Sequence, residues 1–163
     1  MPHVLEAARR SRALHRGFVA PPGTPEQYRA YLDRIAGSAY IGHLLCLPDG
    51  EPVGVVNINE IVRGSFCSGY LGYHAFVPHN GRGYMTRGLQ LVLRRAFGAY
   101  RLHRLEANIQ PANLSSISLV RRLGFRLEGF SPRYLKIAGR WRDHERWALT
   151  AEEWRSNQSP AHP

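Results

Sequence analysis

The apolar positions of this chain change period several times, and each change marks an element. Residues 4–15 read as a short basic helix. Thr24-Pro25-Glu26-Gln27 is a capping box with proline at the first helical position, and it opens a second helix to about Ala36. Residues 40–47 and 52–58 read as two strands joined by the turn Pro48-Asp49-Gly50-Glu51. A third strand covers 66–77, where Gly69-Tyr70-Leu71-Gly72-Tyr73-His74-Ala75-Phe76-Val77 has the aromatic and β-branched content of a buried strand. Met85, Leu89, Val92, Leu93, Ala96, Phe97 and Tyr100 then recur at helical spacing, opposite Arg87, Arg94 and Arg95. That helix runs to about Tyr100. Residues 104–109 form a further strand, and Asn113 caps a helix through Leu123 that stops at Gly124. Short strands follow at 125–128, 133–137 and 141–149, with Ala138-Gly139-Arg140 turning the last hairpin. A mostly antiparallel sheet with helices on its faces is an α+β layout. Residues 1–154 read as one domain, and 155–163 as a frayed tail.

Between the third strand and the long helix stands Asn80-Gly81-Arg82-Gly83-Tyr84-Met85-Thr86. Two glycines at a helix N-terminus let a ligand approach the backbone closely. The free N–H groups and the helix dipole there favour an anion such as phosphate. The Rossmann fingerprint fails, because position 86 is threonine rather than glycine. A P-loop fails as well, because the only lysine is Lys136. The turn is a phosphate cradle of another kind.

At 163 residues the chain has room for one sizeable core, and its 44% hydrophobic content argues against disorder. No apolar run approaches the roughly 18 residues of a membrane span. The N-terminus, Met-Pro-His-Val-Leu-Glu-Ala-Ala-Arg-Arg, lacks the uncharged apolar stretch of a secretory signal. Cys46 and Cys67 stand singly in predicted strands and read as buried free thiols of a reducing cytoplasm. The eight histidines have no metal-ligand spacing, so no metal is expected.

The net charge of +10 is concentrated. Between Ile61 and Arg142, 13 arginines and Lys136 stand against only Glu106 and Glu128. Such a field attracts polyanions: nucleic acid, a phosphorylated cofactor or a ribosomal surface. Codon bias accounts for arginine over lysine, but not for the scarcity of acids in this half.

Five ordered blocks lie between about residues 50 and 154. They are Ile61-Val62-Arg63-Gly64-Ser65-Phe66; Tyr70-Leu71-Gly72-Tyr73; the cradle; Leu102-His103-Arg104-Leu105-Glu106-Ala107-Asn108, running through Pro111, Asn113 and Ser116 to Leu123-Gly124-Phe125; and Tyr134-Leu135-Lys136-Ile137 with Gly139 and Trp141-Arg142-Asp143-His144. Together they resemble the GCN5-related N-acetyltransferase (GNAT) superfamily, in particular the RimJ/RimL-type branch that acetylates N-terminal alanine or serine of ribosomal proteins.

The resemblance implies acetyl-CoA as cofactor and a sheet that splays between the strand before the cradle and the strand carrying Glu106. Backbone groups near Phe76 and Val77 would pair with the pantetheine amides. The N–H groups of Gly81, Arg82, Gly83, Tyr84, Met85 and Thr86 would take the pyrophosphate, and Asn113 would hydrogen-bond the cofactor. The chain departs from the family at Asn80, where Gln or Arg is usual, and at Met85, where Ala or Gly is usual. Neither change removes a backbone donor. Relatives usually carry a strand before the first helix, and here only Met1-Pro2-His3 precedes it. That implies a truncated start, or a sheet edge completed by another segment or another chain.

Acetyl transfer needs a neutral amine, a polarised thioester carbonyl and a leaving thiolate. An α-amino group, with a pKa of about 8, asks less of a base than a lysine amine near 10.4. Glu106 matches the base position of related enzymes, with pairing to a nearby arginine as its structural role. The family's tyrosine acid, four residues before the Gly-Phe pair, is replaced by Val120, and Ser116 is the substitute that the N-x-x-S spacing suggests. Glu60 and Asp143 are candidates to grip the substrate ammonium, and Tyr73 and Tyr134 to line its slot. The expected reaction is acetylation of a primary amine, foremost the N-terminal α-amine of a ribosomal protein. A polyamine, amino acid or antibiotic is the alternative acceptor. A different class is a basic RNA-binding module, although the aromatic–basic motifs of an RRM and the GXXG loop of KH are missing. Weak RNA or ribosome contact and homo-oligomerisation stay open, and no membrane partner is expected.

Overall fold

A computed structural model describes residues 2–158. Its order is α1 (Pro2–Arg10), α2 (Arg12–His15), α3 (Pro25–Ile35), β1 (Ile41–Cys46), β2 (Pro52–Val62), β3 (Ser68–Ala75), α4 (Tyr84–Phe97), β4 (Arg104–Ile109), α5 (Leu114–Arg122), β5 (Arg126–Ile137), β6 (Arg140–Thr150) and α6 (Ala151–Gln158). The six strands form one sheet in the order β1-β2-β3-β4-β6-β5. Every neighbouring pair is antiparallel except β3 and β4, which α4 connects as a parallel pair. β1 and β5 are the edges, and among the described residues no strand precedes α1.

The helical periodicity in the sequence builds the main core. Leu89, Val92, Leu93 and Ala96 on one face of α4 pack with Val56 and Ile58 of β2, Leu105 and Ala107 of β4, and Ile117 and Val120 of α5. Leu89 and Leu93 are fully buried, each contributing about 1.5–3 kcal/mol relative to exposure. Gly88 lets α4 lie directly against Leu45, where a Cβ would collide. The opposite face of the sheet carries a smaller cluster, in which Val4, Ala7 and Ala8 of α1 meet Val55 and Phe76.

Three elements and the two thiols differ from the sequence expectation. The first helix breaks at Ser11, whose buried hydroxyl donates to the Ala7 carbonyl at 2.7 Å and accepts from the Val77 N–H at 2.9 Å. β5 is one strand, not two, because irregular pairing with β6 between Ser131 and Leu135 bridges the expected gap. Residues 151–158 form α6, so 155–158 are helical rather than part of a frayed tail. Thr150 Oγ1 accepts from the Glu153 N–H while Glu153 Oε2 accepts from the Thr150 N–H, and Trp154 is buried. Residues 159–163 of the expected tail lie outside the described residues. Finally, both thiols are free but neither is buried: Cys46 is exposed and Cys67 is partly exposed. No helix among the described residues is long and apolar enough to cross a membrane.

Candidate active site

The site begins where β3 and β4 part. They pair only over Ser68–Tyr70 against Arg104–Glu106, and then diverge. The Phe76 N–H bonds the Val53 carbonyl at 2.8 Å, which fixes the alternation along β3. Even-numbered backbone groups therefore face β2, and those of Leu71, Tyr73 and Ala75 face the gap. The gap holds a cleft of about 140 Å³. Leu71, Gly72 and Tyr73 form one wall, and Ala107, Asn108, Ile109 and Gln110 the other. Asn113 and Ser116 of the α5 region close one side, Phe18 and Val19 another, and His144 of β6 completes the lining.

The cradle stands beyond the end of β3. Gly81 has φ 75° and Gly83 φ 80°, left-handed values that suit glycine. Gly83 is also the N-cap of α4, and no side chain caps that helix. A Cβ built on either glycine meets no atom within 4 Å. The first N–H groups of α4, from Tyr84, Met85 and Thr86, have no acceptor within the helix. Arg122 of α5 brings a guanidinium to Thr86 Oγ1 at 3.5 Å. An uncapped helix N-terminus, two left-handed glycines and an adjacent arginine fit a pyrophosphate.

On α5 the Asn113 side chain acts as N-cap, accepting from the Ser116 N–H at 3.2 Å and from Ser115 Oγ at 3.0 Å. That cap holds Ser116 toward the sheet, where its Oγ lies 2.5 Å from the Tyr73 hydroxyl. Burial pushes the Tyr73 phenol up to about 12, so it is a proton donor at any ordinary pH.

Other sequence candidates fall elsewhere. Phe76 has both backbone groups engaged, its N–H with Val53 and its carbonyl with the His79 N–H at 3.0 Å. The Val77 N–H is held by Ser11, and His15 Nε2 bonds the Ala75 carbonyl at 2.7 Å. The N–H groups of Phe76 and Val77 are therefore committed within the chain, and the gap-facing backbone lies earlier on β3, at Tyr73. Glu106 sits where the splay starts, outside the cleft lining, with Oε1 2.9 Å from Arg104 Nε. Arg104 also grips Glu128, which in turn bonds Arg126, and the hydrogen bond from Arg104 holds the Glu128 carboxyl below its usual range. Glu60 is exposed and accepts from the Tyr40 hydroxyl at 2.6 Å. Asp143 is exposed and accepts from the Arg133 N–H at 2.7 Å. Tyr134 does not line the cleft but lies edge-on to His144, ring centroids 6.2 Å apart.

Sequence reasoning assigned no role to the lining residues Asn108, Gln110 and His144. Asn108 Oδ1 is buried without a partner. Asn108 and His144 come together through pairing of β4 with β6, which sets Asn108 opposite Arg146 and Ile109 opposite Glu145. No local spacing encodes that register.

Residues 2–126 match the model of the acetyltransferase (GNAT) domain. The chain belongs to the GNAT acetyltransferase family. Its relatives include the [ribosomal protein uS5]-alanine N-acetyltransferase of Escherichia coli (strain K12), 41% identical over 118 residues, covering 72% of this chain and 61% of that protein. The chain thus spans less than two thirds of that relative's length. Among solved structures, Mycobacterium smegmatis RimJ in complex with CoA-disulfide superposes with a TM-score of 0.82 at 29% identity, over 93% of this chain and 79% of that one. The spermidine N-acetyltransferase of Vibrio cholerae in complex with CoA and spermine shares the GNAT fold, with a TM-score of 0.79 at 18% identity, over 94% and 91%. GNAT acetyltransferases use acetyl-CoA, and the cradle and splay have the form that such a cofactor needs.

Proposed function

We propose that this GNAT chain transfers an acetyl group to the α-amine of a protein N-terminus. The observation that carries this reading is that no carboxylate lines the cleft among the described residues. Its polar groups are the amides of Asn108, Gln110 and Asn113, the hydroxyls of Tyr73 and Ser116, and the His144 imidazole. A peptide brings one ammonium followed by amides, which such walls can hydrogen-bond. A polyamine brings several ammonium groups, each in want of a carboxylate. The three candidate carboxylates, Glu60, Glu106 and Asp143, are bonded to Tyr40, Arg104 and the Arg133 backbone. The likeness to an E. coli enzyme named for a ribosomal-protein alanine supports the same acceptor class.

Bound acetyl-CoA supplies a thioester with an electrophilic acyl carbon. The chain's residues have separable roles. The N–H groups from Gly81 to Thr86 would hold the pyrophosphate. The gap-facing N–H of Tyr73 would offer a hydrogen bond to the thioester oxygen. The Tyr73 and Ser116 hydroxyls share one hydrogen bond, and with Tyr73 as its donor the Ser116 proton would be free to point at the departing sulfur.

The test incubates the protein with acetyl-CoA and a panel of acceptors. The panel holds peptides beginning with Ala, Ser or Met, an N-terminally blocked lysine peptide, spermidine and amino acids. Thiol release and product mass are followed. Acetylation on the α-nitrogen of the Ala and Ser peptides supports the reading. Reaction with spermidine or other small amines alone overturns it, and thiol release with none of them, beside salt-dependent RNA binding, returns the non-enzymatic class.

A further inference from the structure

We infer that His144 is the catalytic base that takes the proton from the acceptor ammonium, an assignment that rests on the α-amine reading above. His144 is only 3% exposed, yet it lines the cleft together with Tyr73 and Ser116. Its Nδ1 lies 2.9 Å from the Arg142 carbonyl oxygen. A carbonyl can only accept, so Nδ1 carries the hydrogen, and in the neutral ring Nε2 keeps the lone pair. The Tyr134 ring meets the imidazole edge-on. The charged and titratable groups about it are Arg142 and Arg146, two residues either way on β6, with Tyr134 on β5 and Tyr73 across the cleft.

The other groups on the cleft are unsuited to this task. Amides do not take protons near neutrality, and Tyr73 is held protonated. Glu106 is committed to Arg104 at the start of the splay. An imidazole is the side chain suited to proton exchange near pH 7. Per turnover the ammonium gives up two protons. One leaves through His144 Nε2 to water. The other ends on the cofactor sulfur, through the Ser116–Tyr73 hydroxyl pair, as the C–N bond replaces the C–S bond.

The test is His144→Asn, whose amide N–H can still donate to the Arg142 carbonyl but which lacks a basic nitrogen. With an Ala-terminated peptide at pH 7, kcat/KM should fall about 100-fold, the scale of a lost general base. CoA affinity should stay within about twofold, and the loss should shrink at pH 9, where the α-amine is already neutral. Imidazole added to a His144→Gly variant should restore part of the rate. A His144→Asn rate and pH profile equal to wild type would overturn the assignment. So would an about 100-fold fall in kcat/KM at pH 7 in Glu106→Gln, with CoA affinity kept, beside a His144→Asn rate equal to wild type. If His144→Asn unfolds, the imidazole titration of His144→Gly decides, and no rescue overturns the assignment. A wild-type protein that acetylates no peptide would instead refute the acceptor reading itself.

Discussion

Replacing Tyr73 with Phe tests the hydroxyl pair at the centre of the cleft. The ring and its packing against the main core stay, and one oxygen, 2.5 Å from Ser116 Oγ, is lost. The stability change is that of one partly buried hydrogen bond, about 0.5–1.5 kcal/mol. The rate change is expected to be larger. Without the phenol, the Ser116 hydroxyl is free to rotate away from the sulfur, and kcat should fall roughly 10- to 100-fold, or about 1.4–2.8 kcal/mol of barrier. Single-turnover thiol release at saturating acetyl-CoA measures this, and calorimetric titration of CoA checks that the cradle is unaffected. The phenol also constrains the pH profile. Its value of about 12 lies above the ordinary 10, so the group stays protonated through pH 10, and its contribution to stability is lost only between about 10 and 12. No alkaline fall in kcat from Tyr73 should therefore occur below about pH 11. A Tyr73→Phe rate within twofold of wild type, beside a Ser116→Ala rate reduced tenfold or more, would refute the pairing.

Three further outcomes are expected. Burial and the neighbouring His15 hold the His74 imidazole down to about 3, so its neutral form is built into the fold. That contribution is present above the ordinary 6.5 and is lost as pH falls toward 3. At pH 4.5 it should cost roughly 2–3 kcal/mol, and His74→Gln should narrow the gap between melting temperatures at pH 7.5 and 4.5; an unchanged gap would count against it. Gly83→Ala should cost about 1–2 kcal/mol for its left-handed backbone and weaken CoA binding tenfold or more, because the new methyl points into the open cradle; unaltered CoA affinity would remove the cradle from the cofactor site. Thr150→Ala should remove the α6 cap at a cost of about 1 kcal/mol, read as a melting temperature lower by about 2–4 °C, and an unshifted melt would deny α6 a role in stability.

The parts of the fold legible in the sequence are those with local causes. Proline at N1 after Thr24 fixes the start of α3, and the spacing from Leu89 to Ala96 fixes the buried face of α4. The positive φ of Gly124 stops α5. The missed C-terminal helix had a local signal too. Thr150-Ala151-Glu152-Glu153 is the same box form, and both of its reciprocal bonds are made. The break at Ser11 had none. It depends on the Val77 amide, 66 residues away along the chain.

The same division runs through the site. The cradle is a local motif, and its residues could be named from seven consecutive letters. The acceptor cleft is built by strand order, which brings β6 beside β4 and sets His144 next to the wall that carries Asn108. The family resemblance therefore pointed to Glu106, the acid nearest the splay, although that acid lies two residues from an arginine on the same strand face and bonds it. A carboxylate and a guanidinium at i and i+2 of a strand share one side of the sheet, so the pairing is a local outcome and costs the carboxylate its freedom as a base. The histidine needs a non-local register to reach the cleft, and a bond to its own strand's carbonyl to present the right nitrogen. The proposed cofactor half of this site thus rests on sequence order, whereas the proposed acceptor half depends on which strands the fold makes neighbours.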